Sequence, residues 1–106
     1  MPKYLFEARY TAEGAKGIER EGGVSRREAV LNHLAQVGGK LEAMYFAFGD
    51  VDCYMIADLP DNVSAAALSF AVNESGAIMT KTVVLLTPEE VDKAVHKKIN
   101  FRVPGR

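Results

Sequence analysis

The chain has 106 residues, of which 48% are hydrophobic and 25% are charged, a composition typical of one ordinary globular domain. Thirteen basic and fourteen acidic side chains leave a net charge of −1, so no bulk electric field favours nucleic acid or anionic lipid as a partner. The single cysteine, Cys53, excludes an internal disulfide and a cysteine-rich zinc site.

Uncharged stretches are short, whereas a transmembrane helix needs about 20 apolar residues, so we expect no membrane span. The first apolar run ends at Glu7, which is too early for the hydrophobic region of a signal peptide. Together with the one free thiol, this favours the cytoplasm.

Hydrophobic periodicity switches between the strand and the helix pattern along the chain. Strands are predicted over residues 3–10, 40–48, 51–59 and 77–86. A short helical turn is predicted over residues 11–17, followed by helices over residues 25–37, 62–75 and 88–97. The main helix is predicted to begin at Ser25, because Ser25 and Glu28 form a capping box. Gly49 and Asp50 predict a tight hairpin turn between the second and third strands.

The resulting order, β-α-β-β-α-β-α, predicts an α+β fold of the ferredoxin-like type with one four-stranded antiparallel sheet. The second and third strands are apolar on both faces, while two helices cover one face only. A second copy of the chain is the simplest cover for the other face, so we expect a homo-oligomer built like a dimeric α/β barrel. The sequence divides into one domain over residues 1–99 and a polar tail over residues 100–106.

Nearly the whole chain resembles the GYD-domain proteins, small bacterial proteins of the dimeric α/β-barrel type. The resemblance rests on YTAEG at residues 10–14, GGKLE at 38–42, FGDVD at 48–52, DLPD at 58–61 and LTPEE at 86–90. The motif that names the family has an aromatic residue where this chain has Val51, whereas Gly49 and Asp52 match. The resemblance therefore implies the fold and the assembly, and it implies no particular reaction.

Candidate catalytic residues are Asp52, Tyr54 and His33. Asp52 and Tyr54 share a strand face, where a partly buried carboxylate is suited to general-base chemistry. The alternative is that Asp52 only bonds a nearby amide at the end of its strand. His33 lies at the edge of the apolar stripe of the main helix.

A candidate anion site consists of Ser25, Arg26 and Arg27, which follow Gly22 and Gly23 at the predicted helix start. Free amides, a hydroxyl and two guanidinium groups suit a phosphate or a carboxylate. The alternative is that both arginines are solvated or paired with neighbouring glutamates.

His33 and His96 lack the spacing of a metal pair, so we expect no metal site and no cofactor. Cys53 lies mid-strand among apolar residues, which favours a buried structural thiol over a nucleophile. No run of basic, glycine and aromatic residues typical of RNA-binding sheets is present, so no nucleic-acid partner is expected.

The sequence as a whole favours a homo-oligomeric module that binds a small metabolite or anion at a cavity on the sheet or at a subunit interface. The alternative is a cofactor-independent oxygenase or isomerase, which rests on analogy with other folds of this kind. In that case Asp52, Tyr54, His33 and Arg27 are the residues to examine first.

Overall fold

A computed structural model describes all residues from 1 to 106. Its elements in chain order are β1 (Lys3–Tyr10), α1 (Ala12–Ala35), β2 (Lys40–Phe46), β3 (Cys53–Asp58), α2 (Asn62–Glu74), β4 (Ile78–Leu85) and α3 (Pro88–Val95). The four strands form one antiparallel sheet in the order β2-β3-β1-β4. This confirms the predicted α+β class, and the strand order is compatible with a ferredoxin-like fold. No helix is both long enough and apolar enough to cross a bilayer.

Helix α1 begins where the short helical turn is predicted, and it continues through residues 18–24, which the sequence left between two helical segments. Thr11 caps it by accepting a hydrogen bond from the Gly14 amide at 3.3 Å, and helical residues follow at once. The predicted break between two helical segments is reduced to Gly22, whose φ of 81° and ψ of 169° are non-helical. Glycine adopts these backbone angles without strain, so the kink is confined to Gly22 and the chain is helical again at Gly23. Ser25 therefore lies inside the second segment, and its predicted role as the cap was wrong.

The hairpin between β2 and β3 is wider than the predicted two-residue turn. Strand β2 ends at Phe46 and β3 begins at Cys53, so both predicted strands were too long at this end. The side chain of Asp52 turns to accept a hydrogen bond from the Tyr10 amide at 2.8 Å, and Val51 turns inward to become buried. The Asp52 backbone still bonds both neighbours, because its carbonyl accepts from the Ala47 amide at 2.7 Å and its amide donates to the Ala8 carbonyl at 2.9 Å.

Burial along β1 identifies which face of the sheet meets the helices. Tyr4, Phe6 and Ala8 are buried, and the register places Ala57 and Cys53 beside Tyr4 and Ala8 on β3. Alternation along the strands puts these side chains on one face, where they pack with Val30 and Leu34 of α1. The sequence left this choice open because both faces are apolar.

The opposite face, called the open face below, is lined by side chains that alternate with the core residues. Its apolar centre consists of Leu5, Ile56, Val83 and Leu85, which lie next to one another in the register. At one end Lys3 donates hydrogen bonds to Glu42 at 2.6 Å and to Asp58 at 2.9 Å. These hydrogen bonds, first that to Glu42 and then that to Asp58, raise the pKa of the Lys3 ammonium.

The chain beyond β4 leaves the body of the molecule. Helix α3 has the predicted start, because Thr87 and Glu90 cap each other's amides at 3.1 and 2.9 Å. It packs extensively against no other helix or strand, and every residue from 88 to 106 is exposed. Residues 100–106 form no helix or strand.

Candidate functional site

Helices α1 and α2 lie over the same face of the sheet without packing extensively against each other. A groove of about 450 Å³ runs between the two helices. A smaller cavity of about 50 Å³ lies between the helices and the sheet. Groove and cavity share five wall residues: Arg26, His33, Leu68, Val72 and Ile78. They therefore form one continuous space, called the interhelical cleft below.

The inner part of the interhelical cleft is mostly apolar. Its floor is formed by side chains of the sheet, among them Phe6, Met44 and Met55, and its sides by Val30 and Leu68 of the two helices. On the α2 side the groove is lined by small residues, Ala67 and Ala71, which leave room between the helices. Such a lining favours the apolar part of a small ligand.

Arg26 supplies the charge of this site. It lines the inner cavity and the groove. Both ion pairs of the structure are formed by Lys3, with Glu42 and Asp58, so the Arg26 guanidinium has no carboxylate partner. An unpaired guanidinium beside an apolar cavity is suited to bind an anion through two parallel hydrogen bonds.

The other titratable groups on the wall of the cleft, Tyr10 and His33, are held in their uncharged forms. Burial lowers the pKa of His33, and the positive charge of Arg26 lowers it further. Burial is also the main cause that raises the pKa of the Tyr10 phenol and of the Cys53 thiol, which are neighbours. At neutral pH the cleft therefore presents one positive charge among neutral groups.

The polar groups of Ser69 and Thr80, which line the inner cavity, are already engaged. The hydroxyl oxygens of Ser69 and Thr82 lie 2.7 Å apart in a hydrogen bond that ties α2 to β4. The side chain of Asn73 accepts a hydrogen bond from the Thr80 amide at 2.8 Å. The Arg26 guanidinium and the His33 imidazole take part in neither contact, so a ligand would meet both with free hydrogen-bonding capacity.

The three candidate catalytic residues lie in three different places. His33 lines the cleft, Asp52 bonds the Tyr10 amide at the end of β1, and Tyr54 stands on the open face opposite Glu7. The contact made by Asp52 is the structural role that the sequence offered as the alternative. No single ligand of metabolite size can touch all three side chains, because the sheet separates Tyr54 from His33.

The candidate anion residues are also separated. Arg26 points into the cleft, whereas Ser25 and Arg27 are exposed and line no part of it. Of the candidate residues named from the sequence, Arg26 and His33 line the cleft, whereas Ser69 and Thr80, which also line it, were not named. The structure contains no group of three or more histidine, cysteine or acidic side chains that could hold a metal ion.

The chain is thus a small α+β protein with a sheet order compatible with a ferredoxin-like fold and a cleft between its two long helices. The model of the GYD domain matches residues 4–95, and the chain therefore belongs to the GYD domain family. No curated protein and no solved structure matches it.

Replacing Asp52 with alanine should lower the free energy of unfolding by about 2 kcal/mol, because the Tyr10 amide loses a charged acceptor. Asp50→Ala is the matched control, since only the backbone carbonyl of Asp50 is bonded, to Arg9. The control should change the stability by less than about 0.5 kcal/mol. Urea denaturation of both variants checks this, and equal losses would refute the assigned contact.

The pKa of the His33 imidazole should lie below its ordinary value of 6.5, because of burial and of the positive charge of Arg26. Between the pKa of His33 in the unfolded chain and its lower pKa in the folded protein, the folded protein binds fewer protons than the unfolded chain. The free energy of unfolding therefore falls as the pH falls from the unfolded pKa towards the folded pKa. Proton NMR of the ring should show the midpoint, and Arg26→Gln should raise it by removing one of the two causes. A midpoint unchanged in Arg26→Gln would show that the two groups do not interact.

Proposed function

We propose that the protein is a small-molecule binding module whose site is the interhelical cleft. Its ligand is a small organic anion with an apolar body, of which a short-chain carboxylate is the simplest example. The observation that carries the proposal is Arg26, a guanidinium without a carboxylate partner on the wall of an otherwise apolar cavity.

The energetics of such binding divide between the two parts of the ligand. Removing an aliphatic chain from water stabilises the complex by about 0.8 kcal/mol for each buried methylene group. The carboxylate supplies the partner that Arg26 lacks, and a bidentate pair fixes the orientation of the ligand. Since His33 is neutral beside Arg26, it adds a hydrogen bond without adding charge.

The dimensions of the cleft favour a slender ligand. A single water molecule needs about 10–15 Å³ of such space, so the inner cavity of about 50 Å³ accepts a few methylene groups rather than a large ring system. The groove above it, of about 450 Å³, leaves room for the charged end. A saturated acid of about six carbons is a suitable probe by this comparison.

The alternative function is that of a cofactor-independent oxygenase or isomerase. In the cleft, His33 is the one neutral base beside free space, and Asp52 and Tyr54 lie elsewhere. An enzyme that uses this site would therefore depend on His33 and would lose turnover below the pKa of that residue. No other observation favours this alternative.

The proposal includes assembly into a homo-oligomer through the open face. Leu5, Ile56, Val83 and Leu85 form an apolar centre there, and residues of this kind favour contact with a second copy of the chain. A cytoplasmic location accompanies the proposal, because the single thiol of Cys53 has no partner for a disulfide. Light scattering at micromolar concentration tests the assembly, and a monomer would contradict it.

Calorimetric titration with hexanoate tests the binding site, and hexan-1-ol serves as the uncharged control ligand. We expect hexanoate to bind more tightly than the alcohol. Arg26→Gln should weaken hexanoate binding at least about tenfold, which corresponds to about 1.4 kcal/mol, and should leave the alcohol unaffected. Arg27→Gln is the matched control, because this neighbouring arginine lines no part of the cleft.

Two results would contradict the proposal. If both arginine variants weaken hexanoate binding equally, the effect comes from the overall charge and not from the cleft. If neither variant changes the affinity, or if hexanoate and hexan-1-ol bind equally well, Arg26 is not an anion-binding residue.

A further inference from the structure

The segment that follows β4, residues 86–106, presents apolar side chains that no other part of the chain covers. Val91 and Val95 of α3 are exposed, and Ile99 and Phe101 beyond it are 82% and 72% exposed. We call this segment the C-terminal arm. Large apolar side chains that stay in water along one short segment are typical of a surface that contacts another molecule.

The extended position of the C-terminal arm needs support from outside the chain. An isolated helix of fewer than about 12 residues is marginal in water, and α3 has eight residues. The molecule is 56 Å long, and its radius of gyration is 16.9 Å, whereas a compact domain of this length has about 13 Å. The packing that holds the arm is therefore not supplied by its own domain.

Residues 99–103 have the pattern of a strand. Ile99, Phe101 and Val103 alternate with Asn100 and Arg102, which is the period of a strand with one buried face. None of these five residues donates a backbone hydrogen bond to another part of the chain. An unpaired segment of this pattern is suited to add to the edge of an existing sheet.

We propose that residues 99–103 pair as an extra strand with β2 of a second copy of this chain. The sheet has two edges, β2 and β4. On β4 the side chain of Asn73 already accepts the hydrogen bond of the Thr80 amide, which blocks the centre of that edge. No side chain caps an amide of β2 in this way, so β2 is the edge that remains available.

The aromatic side chains of β2 favour this contact. Tyr45 and Phe46 lie beyond the bulge of this strand, and both are exposed. Tyr45 lies on the open face opposite Tyr54, whereas Phe46 lies on the helix side opposite Cys53. An added strand would bring Phe101 beside one of these two aromatic side chains, a pairing that stabilises neighbouring strands.

Charge along the chain favours the same contact between two copies. Residues 96–106 contain four lysines and arginines and no acid, whereas residues 1–85 contain eight basic and eleven acidic side chains. Residues 96–106 of one protomer are therefore attracted to the body of its partner. A reciprocal exchange of two arms closes the dimer, because each copy supplies one tail and one β2 edge.

The test compares two neighbouring serine substitutions on opposite sides of the predicted strand. Phe101→Ser removes the largest apolar side chain of residues 99–103, and Asn100→Ser is the control on the polar side. Both positions are exposed, so both variants should fold like the unaltered protein. Sedimentation equilibrium gives the dimer dissociation constant, and hydrogen exchange by mass spectrometry gives the protection of residues 40–46.

We expect Phe101→Ser to raise the dissociation constant at least about tenfold and to speed exchange in β2, with no change for Asn100→Ser. Dilution of the unaltered protein below that constant should also speed exchange in β2. Protection that persists on dilution would indicate pairing within one chain and would overturn the proposal. So would a Phe101→Ser protein with unchanged mass and exchange, or one in which β4 loses protection instead of β2.

This inference does not depend on the ligand of the cleft or on contact through the open face. If Phe101→Ser weakens the dimer but leaves hydrogen exchange in β2 unchanged, Phe101 contacts another surface. That result would also overturn the proposed strand pairing. Loss of hexanoate binding in Arg26→Gln leaves the exchange of β2 unaffected, so the two proposals fail by different observations.

Discussion

Replacing Gly14 with alanine should destabilise the protein by about 3 kcal/mol, which is among the larger costs of overpacking. A β-carbon at this position would lie 2.0 Å from the carbonyl oxygen of Ala77. The backbone cannot easily move away, because the Thr11 amide and hydroxyl both donate to the Ala77 carbonyl, at 3.0 and 3.1 Å. The first turn of α1 is thus held against the chain that enters β4.

Gly17→Ala is the matched control in the same helix. No atom lies within 4 Å of a β-carbon built at Gly17, and alanine is the better helix former. The control should therefore raise the stability by about 0.5–1 kcal/mol, opposite in sign to Gly14→Ala. Urea denaturation measures both variants. A stable Gly14→Ala protein would contradict the close approach of α1 and β4.

The second large effect is expected for Leu59→Ala. The side chain of Leu59 is fully buried, with 0% of its surface exposed, and it belongs to the core cluster with Tyr4, Phe6 and Leu34. Truncation leaves a cavity as well as removing apolar contacts, and such changes cost about 2–5 kcal/mol. The Leu59 amide donates to the Pro2 carbonyl at 3.0 Å, so the backbone is held in place and the site cannot collapse easily.

Leu31→Ala provides the comparison for Leu59→Ala, because Leu31 lies on α1 with its side chain exposed. We expect a change of less than about 1 kcal/mol for Leu31→Ala. Thermal unfolding of the two variants under the same conditions measures the difference. Similar losses for the two leucines would show that the core is not centred between the sheet and the helices as described.

Much of the fold follows from local patterns in the sequence. The strand β1 and the starts of α2 and α3 are each encoded within a few residues, and the structure has them as predicted. The continuation of α1 through residues 18–24 and the width of the β2–β3 hairpin are not local. In α1 the non-helical conformation is confined to Gly22, and in the hairpin Asp52 bonds the Tyr10 amide, 42 residues away in sequence.

The candidate site is harder to predict for a physical reason. Its space exists because α1 and α2 do not pack extensively against each other, and the distance between two helices depends on the tertiary packing of both against the sheet. Arg26 was predicted as an anion-binding residue, but on the assumption that it shares a helix start with Ser25 and Arg27. The helix rotation that directs Arg26 inward and Arg27 outward follows from burial of Val30 and Leu34 on the same helix.

The most direct test of a binding site in the interhelical cleft is an NMR titration of the isotopically labelled protein with hexanoate. We expect the amide signals of residues around the cleft to shift, above all those of Arg26, Val30, His33, Leu68 and Val72. The signals of Arg27 and of the open-face residue Tyr54 should stay in place. Shifts that instead cluster on the open face, or an absence of shifts around the cleft at saturating hexanoate, would contradict a binding site between α1 and α2.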